Sequence, residues 1–121
     1  LRVHSPFSVT IRKTTRDIEV AGVTIPANEM LLPMIACANR DESVFDEPEK
    51  FKIDRNPNPH LAFGFGIHNC LGAHLARLEG QIVAASMIKH MNGIKLKPGS
   101  ENEFGQLGGP STLNVAIEWA T

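Results

Sequence analysis

The run His60–Glu79 reads HLAFGFGIHNCLGAHLARLE, and how it is read decides the rest of the chain. One cysteine, Cys70, stands between Gly66 and Gly72, just ahead of an apolar stretch with helical spacing. Leu71, Leu75, Leu78, Ile82 and Ala85 recur at i, i+4 and i+7, while Ala76, Val83 and Met87 widen the stripe. The spacing predicts a long helix buried over much of its girth, with Asn92-Gly93 as its stop. Cys70 therefore sits where a helix is about to begin, and unpaired backbone N–H groups gather there. Gly64, Gly66 and Gly72 remove Cβ atoms on both sides, so backbone can approach something flat or bulky. A sulfur offered in this way suits a metal ion that brings most of its own ligands. The residues alone leave other readings open. A cysteine before an apolar helix is commonly a small buried hydrophobe. Cys70, His74 and His68 sketch a partial zinc site, and a hydrolytic nucleophile beside either histidine needs a third group that is not evident.

Working outward, the upstream half reads as short strands. FSVTIR (Phe7–Arg12) is strand-like, and Ile18–Val20 and Val23–Ile25 form a hairpin turning at Ala21-Gly22. Met30–Ala36 is an apolar run broken by Pro33, a strand that ends early or lies at an edge. Residues 39–59 carry three prolines and many charges, with Val44, Phe45, Phe51 and Ile53 as isolated apolar anchors, and are expected to be an ordered meander. Downstream, Ile94–Lys97 is a short strand, Gly99–Pro110 a glycine-rich loop, and TLNVAIEW (Thr112–Trp119) a half-buried strand. The fold class is α+β, short strands around one dominant helix.

At 121 residues the chain has the size of one domain, and its 42% hydrophobic and 21% charged residues are ordinary for a globular protein. A net charge of −1 without a dense basic run speaks against nucleic acid as a partner. No apolar run reaches the length of a membrane span, so no membrane anchor is expected in this segment. Two cysteines, Cys37 and Cys70, make no disulfide framework, which fits a cytoplasmic chain. Cys37, in an apolar run, is expected to pack, and His74 to be a partly exposed helix residue. The chain opens on Leu-Arg, and the expectation is an excised portion of something longer.

The run FGFGIHNCLGAHLARLE resembles the haem-binding signature of the cytochrome P-450 family at Phe63, Gly64, Gly66, His68, Cys70, Gly72, Ala76 and Glu79. The resemblance extends along the chain. Leu1-Arg2 followed by HSP is similar to the end of the family's E-x-x-R helix, whose Glu would precede Leu1. Arg55 in KIDRNPNPH resembles the meander arginine that pairs with that motif. DIEVAGVTIPANE and ANRDESVFDEPEKF follow the same family in order, closest to its soluble bacterial and archaeal members.

The resemblance implies that residues 1–121 are the C-terminal haem-binding portion of the mainly α fold of that family, an incomplete domain. It implies haem b as cofactor and Cys70 as axial iron ligand. Phe63, Gly64, Gly66, Leu71, Gly72 and Ala76 would lie at the cofactor, with Arg12 and His68 on its propionates. Arg2 and Arg55 would be structural, and Phe7, Val9 and Gly108 would rim the substrate site. The parent activity implied is a monooxygenation that inserts one atom of O2 into an apolar substrate. A ferredoxin- or flavodoxin-type partner would supply the electrons, with Arg77 and Lys89 as positive charge on the Cys side. The segment alone would not perform regulated monooxygenation. The alternatives are a peroxide-driven peroxygenase and a non-enzymatic haem- or partner-binding fragment.

Overall fold

The computed structural model describes residues 1–98, 103–104, 110–112 and 115–120. They fall into two compact units, one spanning Leu1–Ala62 and the other starting at Phe63.

In the first unit, Arg12–Lys13 (β1) pairs antiparallel with Met30–Leu31 (β4), Arg12 opposite Leu31. The strand expected over Phe7–Arg12 thus starts only at its last residue, and Pro33 supplies the reason. Thr10 N–H still donates to the Pro33 carbonyl at 3.0 Å, in register with the β1–β4 pair. Pro33 has no N–H to return, so the ladder cannot close there. On the other side of β1 the same chain path continues, Thr14 N–H donating to the Glu29 carbonyl at 3.0 Å. Beyond Pro33 the expected strand gives way to a single helical turn, Ile35–Ala38 (α1).

Between these strands lies the hairpin read from the sequence, Ile18–Val20 (β2) against Val23–Ile25 (β3). Ala21 and Gly22 both take positive φ, +50° and +79°, the combination that suits two-residue hairpins. Asp17 Oδ1 accepts the Ala27 N–H at 2.8 Å and ties the open end of the hairpin together.

From Asn39 to Pro59 there is no regular strand or helix, as expected of a meander. Its anchors divide unequally. Phe45 is buried, whereas Val44, Phe51 and Ile53 are exposed in this structure. Cys37, expected to pack, is exposed as well: it sits on the one-turn helix α1, which contains no buried residue.

In the second unit the expected helix is present as Ala73–His90 (α2). It stops two residues before Asn92-Gly93, because those residues belong to Met91–Leu96 (β5), which pairs antiparallel with Val115–Trp119 (β8). Asn92 occupies a bulge between Met91 and Gly93, which is where the helix-stop signal went. A small ladder joins Glu103–Phe104 (β6) to Pro110–Thr112 (β7). The helix corrects the expectation of wide burial. Only Ala73 is buried, and Leu75, Leu78, Ile82, Val83 and Ile88 are each more than half exposed.

Candidate functional site

The Cys70 loop is built by its own backbone. Gly66–His68 forms a 3-10 turn, with Asn69 N–H donating to the Gly66 carbonyl at 3.0 Å and His68 N–H to Phe65 at 3.3 Å. Cys70 N–H then reaches back across the turn to the Phe63 carbonyl at 2.7 Å. The Cys70 carbonyl in turn accepts the Ala73 N–H at 3.2 Å, where α2 begins. Cys70 is thus fixed at its N–H and at its carbonyl while its side chain stays exposed. Gly72, His74 and Leu75 have N–H groups with no acceptor inside the helix, so the partial positive end of α2 lies beside the cysteine in sequence.

Two glycines make this path accessible. Gly64 has φ +74°, and a Cβ there would lie 2.6 Å from the His68 carbonyl oxygen. Gly66 has φ +61°, but a Cβ would meet nothing within 4 Å. The first glycine is demanded by contact and conformation together, the second by conformation alone. Phe65, Ile67 and Leu71, apolar neighbours of Cys70 in the sequence, are almost wholly exposed. Phe63 is half-buried, and the Arg77 guanidinium lies over its ring at 4.5 Å from the centroid.

The remaining expected positions distribute as follows. His68 lies in the loop next to Gly64, and Gly72 and Ala76 lie at and just inside the start of α2, Gly72 accepting the Ala76 N–H at 2.9 Å. Arg12 is exposed on β1, its Nη1 donating to the Ile11 carbonyl at 2.7 Å. Phe7 is exposed and Val9 half-buried in the first unit. Gly108 lies outside the described residues. No cluster of three or more His, Cys, Asp or Glu able to hold a metal forms among the described residues, which leaves the zinc reading without a ligand set.

Arg2 and Arg55 both serve the meander. Arg2 is only 5% exposed; its Nη1 donates to the Asn39 carbonyl at 2.7 Å and its Nη2 to the Lys50 carbonyl at 3.1 Å. Its guanidinium also lies 4.9 Å from the Phe45 ring centroid. Arg55 donates to the Asp46 and Glu47 carbonyls at 2.8 and 3.2 Å. Both line one cavity of about 100 Å³ with Leu1, Val3, Phe51 and Lys52. Burial, followed by the like charges of Arg55 and Arg40, pulls Arg2 below the usual arginine range.

Sequence reasoning missed three participants. Asn39 is fully buried; its Oδ1 accepts the Leu61 N–H at 2.7 Å, and its own carbonyl takes the Arg2 hydrogen bond. Arg40 spans from Glu49 to the Val3 carbonyl. Glu47 binds Lys50 and Lys52 and is held at about 2 by those hydrogen bonds. Asn39 and Arg40 bond residues more than twenty positions away, and local spacing carries no signal of such partners.

The order of buried arginine, hairpin, meander, cysteine loop and long helix defines part of a haem-thiolate fold, and the comparisons agree. The Cytochrome P450 family profile matches residues 1–104. A putative cytochrome P450, YjiB, of Bacillus subtilis is 48% identical over 101 residues, covering 81% of this chain and 26% of that protein. Cytochrome P450 119 of Sulfolobus acidocaldarius is 49% identical over 96 residues, covering 79% and 26%. Among solved structures, P450BioI in complex with an acyl carrier protein bearing hexadec-9Z-enoic acid superposes with a TM-score of 0.87 at 40% identity, covering 97% of this chain and 31% of that one. The chain belongs to the cytochrome P450 family. It spans about a quarter of the length of the curated relatives it matches.

Members of this family bind haem b through a cysteine thiolate, and the residues present fit that group. Cys70 is exposed, the space beside Gly66 and Gly72 is open, and the exposed apolar side chains of the loop suit a flat, largely apolar macrocycle.

Proposed function

We propose that this chain is the haem-ligating segment of a monooxygenase that inserts one oxygen atom from O2 into an apolar organic substrate. The observation that carries the reading is an exposed Cys70 fixed by the 2.7 Å hydrogen bond to Phe63 on a loop whose Gly64 tolerates no side chain. Haem bound there would supply O2 activation, using two electrons from a ferredoxin- or flavodoxin-type partner.

The chain's own residues do the holding. Cys70 would hold the haem iron through its sulfur, and the N–H groups of Gly72, His74 and Leu75, without acceptors inside α2, would favour negative charge at that end of the helix. Phe63 limits the access of water to the sulfur, and Leu71 and Ala76 give apolar contact. Arg12 and His68 would each offer a propionate a charge-assisted hydrogen bond. Arg2 and Arg55 fix the meander, and Phe7, Val9 and Gly108 border the substrate. The segment is one part of a larger haem domain that also supplies the oxygen-handling face, so these 121 residues do not turn over alone. No helix among the described residues is long and apolar enough to cross a membrane.

The test is the carbon monoxide difference spectrum of the reduced, haem-loaded full-length protein beside its Cys70→Ser variant. The expected result is the strongly red-shifted Soret band of a thiolate-ligated carbonyl, lost entirely in the variant. Retention of that band in Cys70→Ser would refute Cys70 as the ligand.

A further inference from the structure

Arg77 stands on the second turn of α2, where the sequence suggests an outward positive charge available to a redox partner. In the structure its guanidinium is engaged elsewhere. Its Cζ lies 4.5 Å from the Phe63 ring centroid, and its Nη1 donates to the Ala73 carbonyl at 3.4 Å. Phe63 is also the residue that closes the cysteine loop, its carbonyl accepting the Cys70 N–H at 2.7 Å, shorter than the loop's other backbone bonds of 3.0 to 3.3 Å. One residue is therefore gripped at its ring by Arg77 and grips Cys70 with its backbone.

The loop has reason to need such a grip. Gly64 and Gly66 both take positive φ, and glycine carries more conformational freedom than any other residue. The 3-10 turn at Gly66–His68 has no side-chain cap. An α-helix is by contrast a rigid post, and α2 is anchored by its buried first residue, Ala73, whose carbonyl also steadies the Arg77 guanidinium. A planar cation on a ring face is directional, and a stacked Arg is not replaced in kind by Lys.

We propose that Arg77 is a positioning residue for Cys70, acting through the Phe63 ring to hold the cysteine loop against α2. This rests on the haem-thiolate reading for its consequence at the metal, though the contact itself does not. Arg77 then sets how steadily the sulfur is presented, and its charge, held on the residue bonded to Cys70, favours the reduced state of a thiolate-ligated iron.

The experiment uses the haem-loaded full-length protein with Arg77→Met, Arg77→Lys, Phe63→Leu and the Arg77→Met/Phe63→Leu double variant. Two quantities are measured: amide hydrogen exchange at Cys70 and the haem reduction potential, titrated with dithionite. Arg77→Met is expected to speed Cys70 exchange about 2- to 5-fold and to lower the potential. Arg77→Lys falls between Met and the parent. In the Phe63→Leu background, Arg77→Met adds little to either, because the two act as one unit. Should Arg77→Met fail to load haem, the comparison of Arg77→Lys with the parent carries the test. The proposal is overturned if exchange and potential match the parent while only the KM for a ferredoxin-type donor rises, which marks a docking cation. It is equally overturned if the Arg77 effect is the same with and without the Phe63 ring. Failure of the haem-thiolate reading has its own signature, absence of the thiolate-type carbonyl band in the parent, and leaves the exchange measurement interpretable.

Discussion

The Leu1–Ala62 unit and the unit that begins at Phe63 hold their irregular backbone in different ways. In the first, a buried guanidinium meets carbonyls: Arg2 reaches Asn39 and Lys50, and Asn39 reaches Leu61. Its long irregular segment is ordered because side chains take over the hydrogen bonds that a sheet would have supplied. In the second, backbone geometry is settled locally, by glycines and a 3-10 turn, while large apolar side chains stand in the open. The first unit fixes its irregular path with polar side chains, and both units leave large apolar side chains exposed, Phe51 and Ile53 in the first and Ile67 and Leu71 in the second, surfaces of the kind that mark interaction sites.

The comparison predicts that damage in the two units reads out differently. The largest effect on stability is expected at Arg2. Arg2→Ala strips the Asn39 and Lys50 carbonyls of their donor and leaves a hole beside Phe45. A loss of about 3 kcal/mol follows from unsatisfied buried acceptors and lost packing, measured by urea unfolding of the haem-loaded protein. The carbonyl spectrum of whatever remains folded should still be of thiolate type. A destabilised protein that had also switched its spectral type would break the comparison, because the meander would then be setting the ligand.

A smaller effect, and of the other kind, belongs to the cysteine loop. Gly64→Ala combines a left-handed backbone with a Cβ 2.6 Å from the His68 carbonyl, whereas Gly66→Ala has the backbone problem alone. The expected costs are about 2–3 kcal/mol at Gly64 and about 1 kcal/mol at Gly66. Haem occupancy, read from the Soret-to-protein absorbance ratio, should fall in the same order. Equal losses at the two glycines would show that the His68 carbonyl moves aside freely and that the loop is looser than its hydrogen bonds imply.

How much of this was legible in the sequence follows the same divide. The hairpin at Ala21-Gly22 and the helix after Cys70 depend on neighbours a few residues apart, and local pattern finds such things. The helix-stop signal at Asn92-Gly93 stands directly after the C-cap Met91, but local spacing did not show that the same residues form a bulge in β5. The strand over Phe7–Arg12 was overread because a proline on the partner strand, Pro33, took away the returning bond. Asn39 and Arg77 were illegible for a stronger reason. One is buried by contacts 22 and 37 positions away, and the other is aimed at a ring across a turn whose path only the glycines' φ values determine. The apolar stripe on α2 was read correctly as apolar, but apolar spacing does not by itself give burial, and of the helix's residues only Ala73 is buried.

The smallest predicted effect lies on the surface of the first unit. Glu47 is held at about 2, chiefly by its hydrogen bond to Lys50 and then by that to Lys52, against an ordinary value of 4.5. A depressed carboxylate binds its proton less readily in the folded chain than in the unfolded one. Its contribution is therefore complete above about pH 4.5 and is lost as the pH falls from there through 2. Glu47→Gln should therefore lower stability slightly at every pH above about 4.5, neutral pH included, and converge on the parent near pH 2, which flattens the acid limb in that window. Because the carboxylate is exposed, added salt should shrink the difference between the two proteins. A Gln variant that matched the parent at neutral pH would mean that the exposed Glu47 ion pairs contribute nothing there, and that the first unit holds its meander by the buried Arg2 and by the Arg55 bond to the Glu47 carbonyl, which Gln keeps.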